Sequence, residues 1–303
     1  MSDPEIREGI VIRTQSGFVT VNTGDETFIC QLRGKVKKAR ERSDLIAVGD
    51  RVEFTRHEES RGMIERIMPR KCMLARLDPT PRGLYRQILL ANIDQLVLIF
   101  ACADPEPHLR MLDRFLVIAE KEGIPALIVF NKIDLIGLDE AHKRFDFYEK
   151  IGYPMIFTST HSGEGLDPLR SHLIGKFTAF SGPSGVGKSS LLNAVQPGLG
   201  IAAREVSDVT RKGRHTTVVR EMYPLAAGGF VVDTPGLKSL ALWDTQPEEL
   251  DGYFPEISPL VADCAFSDCT HRSEPGCAVV KAVQEGRIFP ERYDSYLRLR
   301  FGE

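Results

Sequence analysis

The sequence predicts an α/β protein with a small all-β domain before it and a helical, metal-binding segment after it. Three observations carry this. Short strand patterns follow one another up to residue 70, apolar strands then alternate with helical patterns from 71 to 240, and a Cys/His cluster interrupts an acidic helical stretch from 241 to 303. The expected domains are therefore 1–70, 71–240 and 241–303, and 303 residues suffice for more than one core.

Within the first segment, "GIVIRT", "FVTVN", "TFICQL", "DRVEF" and "MIERIM" alternate or are rich in β-branched residues, and turn signals such as Asn22-Thr23-Gly24-Asp25 separate them. Five such strands read as a small barrel of the OB-fold type, an oligonucleotide-binding architecture. Between the third and fourth lies "RGKVKKARER", residues 33–42. The formal net charge of −3 gives no overall case for nucleic acid, so RNA binding is expected from this local patch.

In the second segment the runs "QLVLIFA", "PALIVF", "PMIFTS" and "KFTAFS" alternate with helical patterns, one of which sets Leu109, Leu112, Phe115, Leu116 and Ala119 on one face. Parallel βαβ units follow. "VVREMYPLAAGGFVVDTPG" reads instead as two strands around a Gly-containing turn, an antiparallel edge hairpin.

"GPSGVGKS", Gly182–Ser189, follows a strand and opens a helix, the context a phosphate loop requires. Its glycines let backbone N–H groups converge on phosphate oxygens, Lys188 reaches the β and γ phosphates, and the Ser189 hydroxyl ligates Mg²⁺. This loop does not distinguish ATP from GTP. "NKID", residues 131–134 at a strand end, does: the Asp134 carboxylate accepts from guanine N1–H and the exocyclic amine, a donor pair adenine lacks. Asn131 serves the other base edge or ties its loop to the phosphate loop, while the stem of Lys132 packs along the base. "TSTHSGEG" also ends a strand, where Ser159 and the Thr160 N–H can meet guanine O6.

"DTPG" supplies Asp233 to hold Mg²⁺ through water and Gly236 to sense the γ-phosphate. "KGRHTT", Lys212–Thr217, lies where a nucleotide-sensing switch belongs, with Thr217 the preferred Mg²⁺ ligand and Thr216 the alternative. After Gly236 the chain has Leu237, which cannot orient an attacking water; His215 is the nearest group that can. The order NKID, TST, phosphate loop, switch threonines, DTPG is a rotation of the usual GTPase order, which makes this a circularly permuted GTPase. The segment after DTPG then runs directly into the C-terminal domain, giving nucleotide state a route to move it.

"CAFSDCTHRSEPGC" offers Cys264, Cys269, His271 and Cys277, three thiolates and one imidazole that fill a tetrahedral structural zinc site. Clustered cysteines around a histidine suit a reducing compartment. The opening residues are too charged for a signal peptide, and the run Leu96–Ala103 is far shorter than the about 20 residues of a membrane span. A cytoplasmic monomer contacting neither membrane nor DNA is expected.

Together, the barrel-like start, the permuted motif order and "CAFSDCTHRSEPGCAVVKAVQEGRI" resemble the bacterial ribosome small subunit-dependent GTPases, the RsgA family. The resemblance implies an OB-fold, a permuted GTPase domain and a zinc-binding helical domain. It also implies GTP hydrolysis to GDP, stimulated by the small (30S) ribosomal subunit in late maturation, with rRNA contacts from both flanking domains. By position it assigns guanine contacts to Asn131, Lys132, Ile133 and Asp134. Phosphate contacts fall on Gly182, Pro183, Ser184, Gly185, Val186, Gly187, Lys188, Ser189 and Ser190, and the hydrolytic role on His215. Two other readings fit the residues: an RNA-binding adapter toggled by nucleotide, and a GTPase for a different RNA such as tRNA.

Overall fold

The structure, a computed structural model, describes residues 5–302 except 16, 35, 37–45, 78–85, 200–219 and 234–244. In chain order its elements are β1 (Ile6–Gln15), β2 (Phe18–Asn22), β3 (Thr27–Leu32), β4 (Arg51–Glu58), β5 (Arg61–Ile67), β6 (Met73–Leu77), β7 (Arg86–Ala91) and β8 (Gln95–Ala101). There follow α1 (Leu109–Lys121), β9 (Ala126–Asn131), α2 (Leu138–Phe145), α3 (Phe147–Lys150), β10 (Met155–Thr158), α4 (Leu166–Leu173), β11 (Phe177–Ser181) and α5 (Lys188–Val195). The chain ends with β12 (Arg220–Glu221), β13 (Tyr223–Pro224), β14 (Phe230–Asp233), 3-10 turns at Pro247–Tyr253 and Ser258–Asp263, α6 (Ala278–Gln284) and α7 (Pro290–Phe301).

Two compact units divide the described residues. One comprises those within Met1–Leu96, Asp167–Ser181 and Lys188–Ala241; the other those within Val97–Leu166, Gly182–Gly187 and Leu242–Glu303. The division therefore falls inside the phosphate loop, between Gly187 and Lys188.

The first unit opens with the five anticipated strands, ordered β1-β2-β3-β5-β4 and closed by β1 against β4 from Ile6↔Thr55 to Ile10↔Arg51. Their alternation builds the core. Along β3, Phe28, Cys30 and Leu32 point inward while Thr27, Ile29 and Gln31 point out, and Val11, Val21, Phe54 and Ile64 complete the packed interior. Each such side chain stabilises the barrel by about 1.5–3 kcal/mol relative to exposure. Closure removes the strand edges over Ile6–Ile10 and Arg51–Thr55, where β1 and β4 pair.

Beyond the barrel, β6 and β7 form an antiparallel hairpin that the sequence reading did not anticipate. It is fastened to the barrel by the Val48↔Leu90 bridge. From the linker before the hairpin, Arg70 reaches both carboxylate oxygens of buried Asp50, just before β4, at 2.7 and 2.8 Å. In the same unit β11 runs parallel to β14, with Phe180 opposite Asp233, and β13 runs antiparallel to β14. The expected hairpin is thus present, but its first strand is split, and the upstream piece, β12, pairs with β1 of the barrel.

In the second unit β9 and β10 are parallel neighbours, with Thr158 opposite Asn131. Helix α1 buries the expected Leu112, Phe115, Leu116 and Ala119, and also Asp113, Val117 and Ile118. Two of these extra positions have a reason: Val117 belongs to the core of Leu250, Phe254, Ile257, Val279, Ile288 and Tyr296, and Asp113 meets Arg292 of α7. The Arg292 side chain is 0% exposed; its Nη1 donates to Asp113 at 2.6 Å and its Nε to Glu256 at 2.7 Å. Burial pushes the Asp113 carboxyl upward, and the Arg292 guanidinium is the leading opposing influence. Among the described residues no helix is long and apolar enough to cross a membrane.

Candidate nucleotide and metal sites

Asn131 is the last residue of a strand buried through most of its length, so its side chain emerges already desolvated. The following Lys132 adopts the left-handed conformation, φ 65°, which turns the chain sharply into the 3-10 turn Ile133–Leu135. Ile133 is buried, whereas Asp134 is exposed. The register of β10 on β9 sets Thr158 beside Asn131. Its hydroxyl donates to Asn131 Oδ1 at 3.0 Å, and Asn131 Nδ2 donates to the Val186 carbonyl of the phosphate loop at 2.8 Å. Of the two tasks left open for Asn131, tying the loops together is the one its geometry performs.

Ser159 organises the acidic end of the turn. Its Oγ accepts the N–H groups of His161 and Ser162 at 3.1 Å each, which directs its own proton to Asp134 Oδ1 at 2.5 Å. A carboxylate fixed through one oxygen and left exposed is suited to accept a pair of donors in a plane. Thr160 is exposed, and among the described residues no protein acceptor takes its N–H. Lys132 Nζ donates to the Asp104 carbonyl, which holds its stem alongside the turn.

The phosphate loop requires glycine where it bends. At Gly182, φ +151°, an added Cβ would lie 2.0 Å from the Ile99 carbonyl oxygen, and at Gly187, φ +89°, it would lie 2.6 Å from Asn131 Nδ2. Pro183, Ser184, Gly185 and Val186 complete the loop in the second unit, with Val186 buried. Lys188, Ser189 and Ser190 begin α5 in the first. Asp233 ends β14; its backbone is described and its side chain is not. His215, Thr216, Thr217 and Gly236, and the basic run from residue 37 to 42, lie outside the described residues.

At the C-terminal end, one ligand atom from each of Cys264, Cys269, His271 and Cys277 lies within 4.8 Å of the others. The Cys264 and Cys277 sulfurs are each 3.5 Å from His271 Nδ1 and 4.0 Å from one another. The edges of a tetrahedron with ordinary zinc–sulfur and zinc–nitrogen bonds are about 3.5–3.8 Å, so the donor set fits zinc. His271 Nε2 lies 3.4 Å from Asp251, the outer carboxylate that fixes a ligating imidazole. Burial lowers the His271 pKa and favours the neutral, ligating ring, while burial pushes the Cys269 thiol up to about 12, a cost that a bound cation would reverse. The turn itself is held by Glu274, which accepts from the Thr270 hydroxyl and from the N–H groups of Thr270, Arg272 and Ser273. The Thr270 hydroxyl does most to draw the Glu274 carboxyl well below the usual range.

Several residues here carried no signal in the sequence. Thr158 stood at the head of a quoted motif without a role, because its role comes from strand register. Asp251 and Arg292 act across 20 and 179 residues of chain.

A closed five-stranded barrel, a phosphate loop registered on an Asn-Lys-x-Asp turn that precedes it in sequence, and a Cys₃His cluster define a circularly permuted P-loop GTPase with flanking modules. Comparison with known proteins agrees. The RsgA N-terminal domain matches residues 8–64 and the RsgA GTPase matches residues 67–243. The chain belongs to the RsgA GTPase family. It is 46% identical over 297 residues to the small ribosomal subunit biogenesis GTPase RsgA of Gemmatimonas aurantiaca, covering 96% of each chain. It is 42% identical over 290 residues to that of Moorella thermoacetica, covering 96% of this chain and 95% of the relative. Among solved structures it resembles YjeQ from Thermotoga maritima, with a TM-score of 0.80 and 37% identity over 98% of both chains. It also resembles YloQ, described as a circularly permuted GTPase, with a TM-score of 0.75 and 32% identity over 98% of this chain and 95% of the other.

Proposed function

We propose that this chain binds GTP guanine-specifically and hydrolyses it to GDP with Mg²⁺, stimulated by the small ribosomal subunit, whose rRNA it contacts during late maturation. The observation that carries this reading is the bond from Asn131 to Val186, 2.8 Å long, which registers the base-reading turn on the phosphate loop within one unit. Relatives named for small-subunit biogenesis support the partner.

The loop glycines form a cradle that a Cβ would fill, and Asp134 stays exposed, so the residues fit a guanine nucleotide. Asp134 would accept from the base, Lys132 would flank it, and the Thr160 N–H would meet its carbonyl. Ser159, also expected there, spends its hydroxyl proton on Asp134 and its N–H on the Glu164 carbonyl, and so positions Asp134 instead. Backbone N–H groups from Gly182 to Ser190 would hold phosphate oxygens, and Lys188 would offset their charge. Ser189 and Thr217, with Thr216 as the alternative, would hold Mg²⁺, Asp233 would do so through water, and Gly236 would border the γ-phosphate. Magnesium, when bound, supplies charge neutralisation at the phosphates. His215 would orient the attacking water, the task Leu237 cannot perform.

Residues 1–70, 71–240 and 241–303 serve in this reading as RNA-binding, GTP-hydrolysing and zinc-stabilised modules of a cytoplasmic monomer. A groove of about 770 Å³ on the outer barrel face, lined by Arg13, Arg61, His57, Phe18 and Ile29, supports RNA contact, since cationic and aromatic side chains together suit phosphates and bases. The test is steady-state GTP hydrolysis by the protein alone, with small subunits and with large subunits. Stimulation by small subunits alone is expected; equal rates in all three would remove the ribosomal assignment.

A further inference from the structure

Strand β1 is used twice along its length. Residues Ile6–Ile10 close the barrel against β4, and residues Ile10–Gln15 pair with β2 on the opposite edge. Val11 still meets Asp50 and Gly49, just before β4, at 2.9 and 2.8 Å, and past it the β4 side of β1 has no barrel partner among the described residues. Strand β12 fills that edge: Arg13 lies opposite Glu221, Thr14 opposite Arg220, and the Met222 N–H donates to the Ile12 carbonyl at 2.9 Å.

Immediately afterwards the same stretch enters the sheet of the phosphate loop's strand. Tyr223 lies opposite Val231 and Pro224 opposite Phe230, on the strand that ends at Asp233 and runs parallel to β11. Met222, at the joint, is 2% exposed, so the two pairings are locked by packing as well as by hydrogen bonds.

We infer that β12 makes barrel strand β1 a positioning element for the nucleotide site, so that GDP and GTP states are sensed in the barrel. This rests on the GTPase reading above. The strand that carries Asp233 is registered on β1 through residues 220–224. A shift at either end cannot stop at Met222, because slipping one pairing by a residue turns its side chains to the wrong face. Coupling of this kind is reciprocal: if GTP strengthens the β1–β12 pairing, a partner that stabilises β1 raises GTP affinity by the same factor. Arg13, opposite Glu221, also lines the groove proposed for RNA, so a partner seated there touches the coupled segment.

Hydrogen–deuterium exchange on the full chain tests this. Peptides spanning Ile10–Gln15 are compared between GDP and a non-hydrolysable GTP analogue, after fluorescence titration has shown both to bind. Exchange in β1 should differ by about fivefold between the two states and exchange in β3 should not, since local opening reports the pairing of each strand. Met222→Pro, which lacks the N–H that reaches Ile12, should abolish the difference, and Met222→Leu should retain it. Identical β1 exchange in both nucleotide states, or a difference that survives Met222→Pro, overturns the inference. Should Met222→Pro fail to fold, the wild-type comparison decides alone. Absence of any nucleotide binding would sink the GTPase reading itself, whereas binding with a flat β1 sinks only this inference.

Discussion

At the turn proposed to read guanine, Asn131, Asp134 and Ser159 each have a protein hydrogen-bond partner, and the phosphate loop is tied in at 2.8 Å. At the Cys₃His cluster the four ligand atoms, three of them thiols, lie within 4.8 Å of one another, and those of Cys264, Cys277 and His271 meet at 3.5–4.0 Å. The first arrangement satisfies its polar groups from within the protein and can hold its shape before a nucleotide arrives. The second satisfies them only weakly, because a thiol is a poor donor and acceptor, and a cation is what makes the geometry favourable. On the proposed reading, pre-organisation lies in the protein at one site and in a zinc ion at the other, although both belong to one compact unit.

Zinc removal should break this symmetry most strongly. In Cys277→Ser, or in chelator-treated protein, zinc should fall from about one per chain to none, and α7 should lose most of its exchange protection, since structural zinc contributes on the order of 10 kcal/mol to small folds. Guanine-nucleotide affinity should stay within about threefold, because the turn's hydrogen bonds do not involve the cluster. Mass spectrometry for metal, exchange and fluorescence titration report the three quantities. Retained protection in α7 would place the module's stability in its apolar core and not in the ion.

Asp134→Asn attacks the other site where it is least replaceable. The amide can still accept from Ser159, so the turn should fold unchanged, but one acceptor becomes a donor facing guanine's own donors. GTP affinity should drop by about 10³–10⁴, and xanthosine triphosphate, with a carbonyl in place of the amine, should gain. Competition titration with the two nucleotides measures both directions. Equal losses for both would mean that the turn had collapsed rather than changed preference.

Arg292→Met asks what else holds the zinc module. It leaves Asp113 and Glu256 buried without their guanidinium and should cost about 3–5 kcal/mol in urea unfolding, whereas replacing all three with apolar residues of similar volume should recover much of that. A small effect of the single change would mean water reaches Asp113 once the arginine is gone.

The same contrast explains what could be read from the sequence. The phosphate loop, Asn131–Asp134 and Cys264–Cys277 were legible as motifs because each pattern is set by residue type at fixed spacing along a few residues. Five barrel strands were legible because inward positions alternate over lengths that turns cut cleanly. Strands β6 and β7 and the pairing of β12 with β1 were not, since short strands gain their identity from a partner elsewhere in the chain. Arg292 is the extreme case: in the sequence it is one of many charges on an amphipathic helix, and only the packing of α7 on α1 makes it the best-buried cation of its unit among the described residues.

Thr158→Val gives the smallest expected effect and the finest resolution. The substitution keeps shape and β-branching and removes only the hydroxyl that donates to Asn131 Oδ1 at 3.0 Å. Asn131 then holds the Val186 carbonyl with one anchor fewer, which should cost about 1–1.5 kcal/mol, or about tenfold in nucleotide affinity. The loss should be equal for GDP and for a GTP analogue, because the affected contact joins the base-reading turn to the loop and touches nothing that distinguishes a third phosphate. A larger loss for the GTP analogue would show instead that the turn's pre-organisation reaches the γ-phosphate side, and the separation drawn here between a turn finished by the protein and a site finished by its ligand would have to include the phosphate loop on the ligand's side.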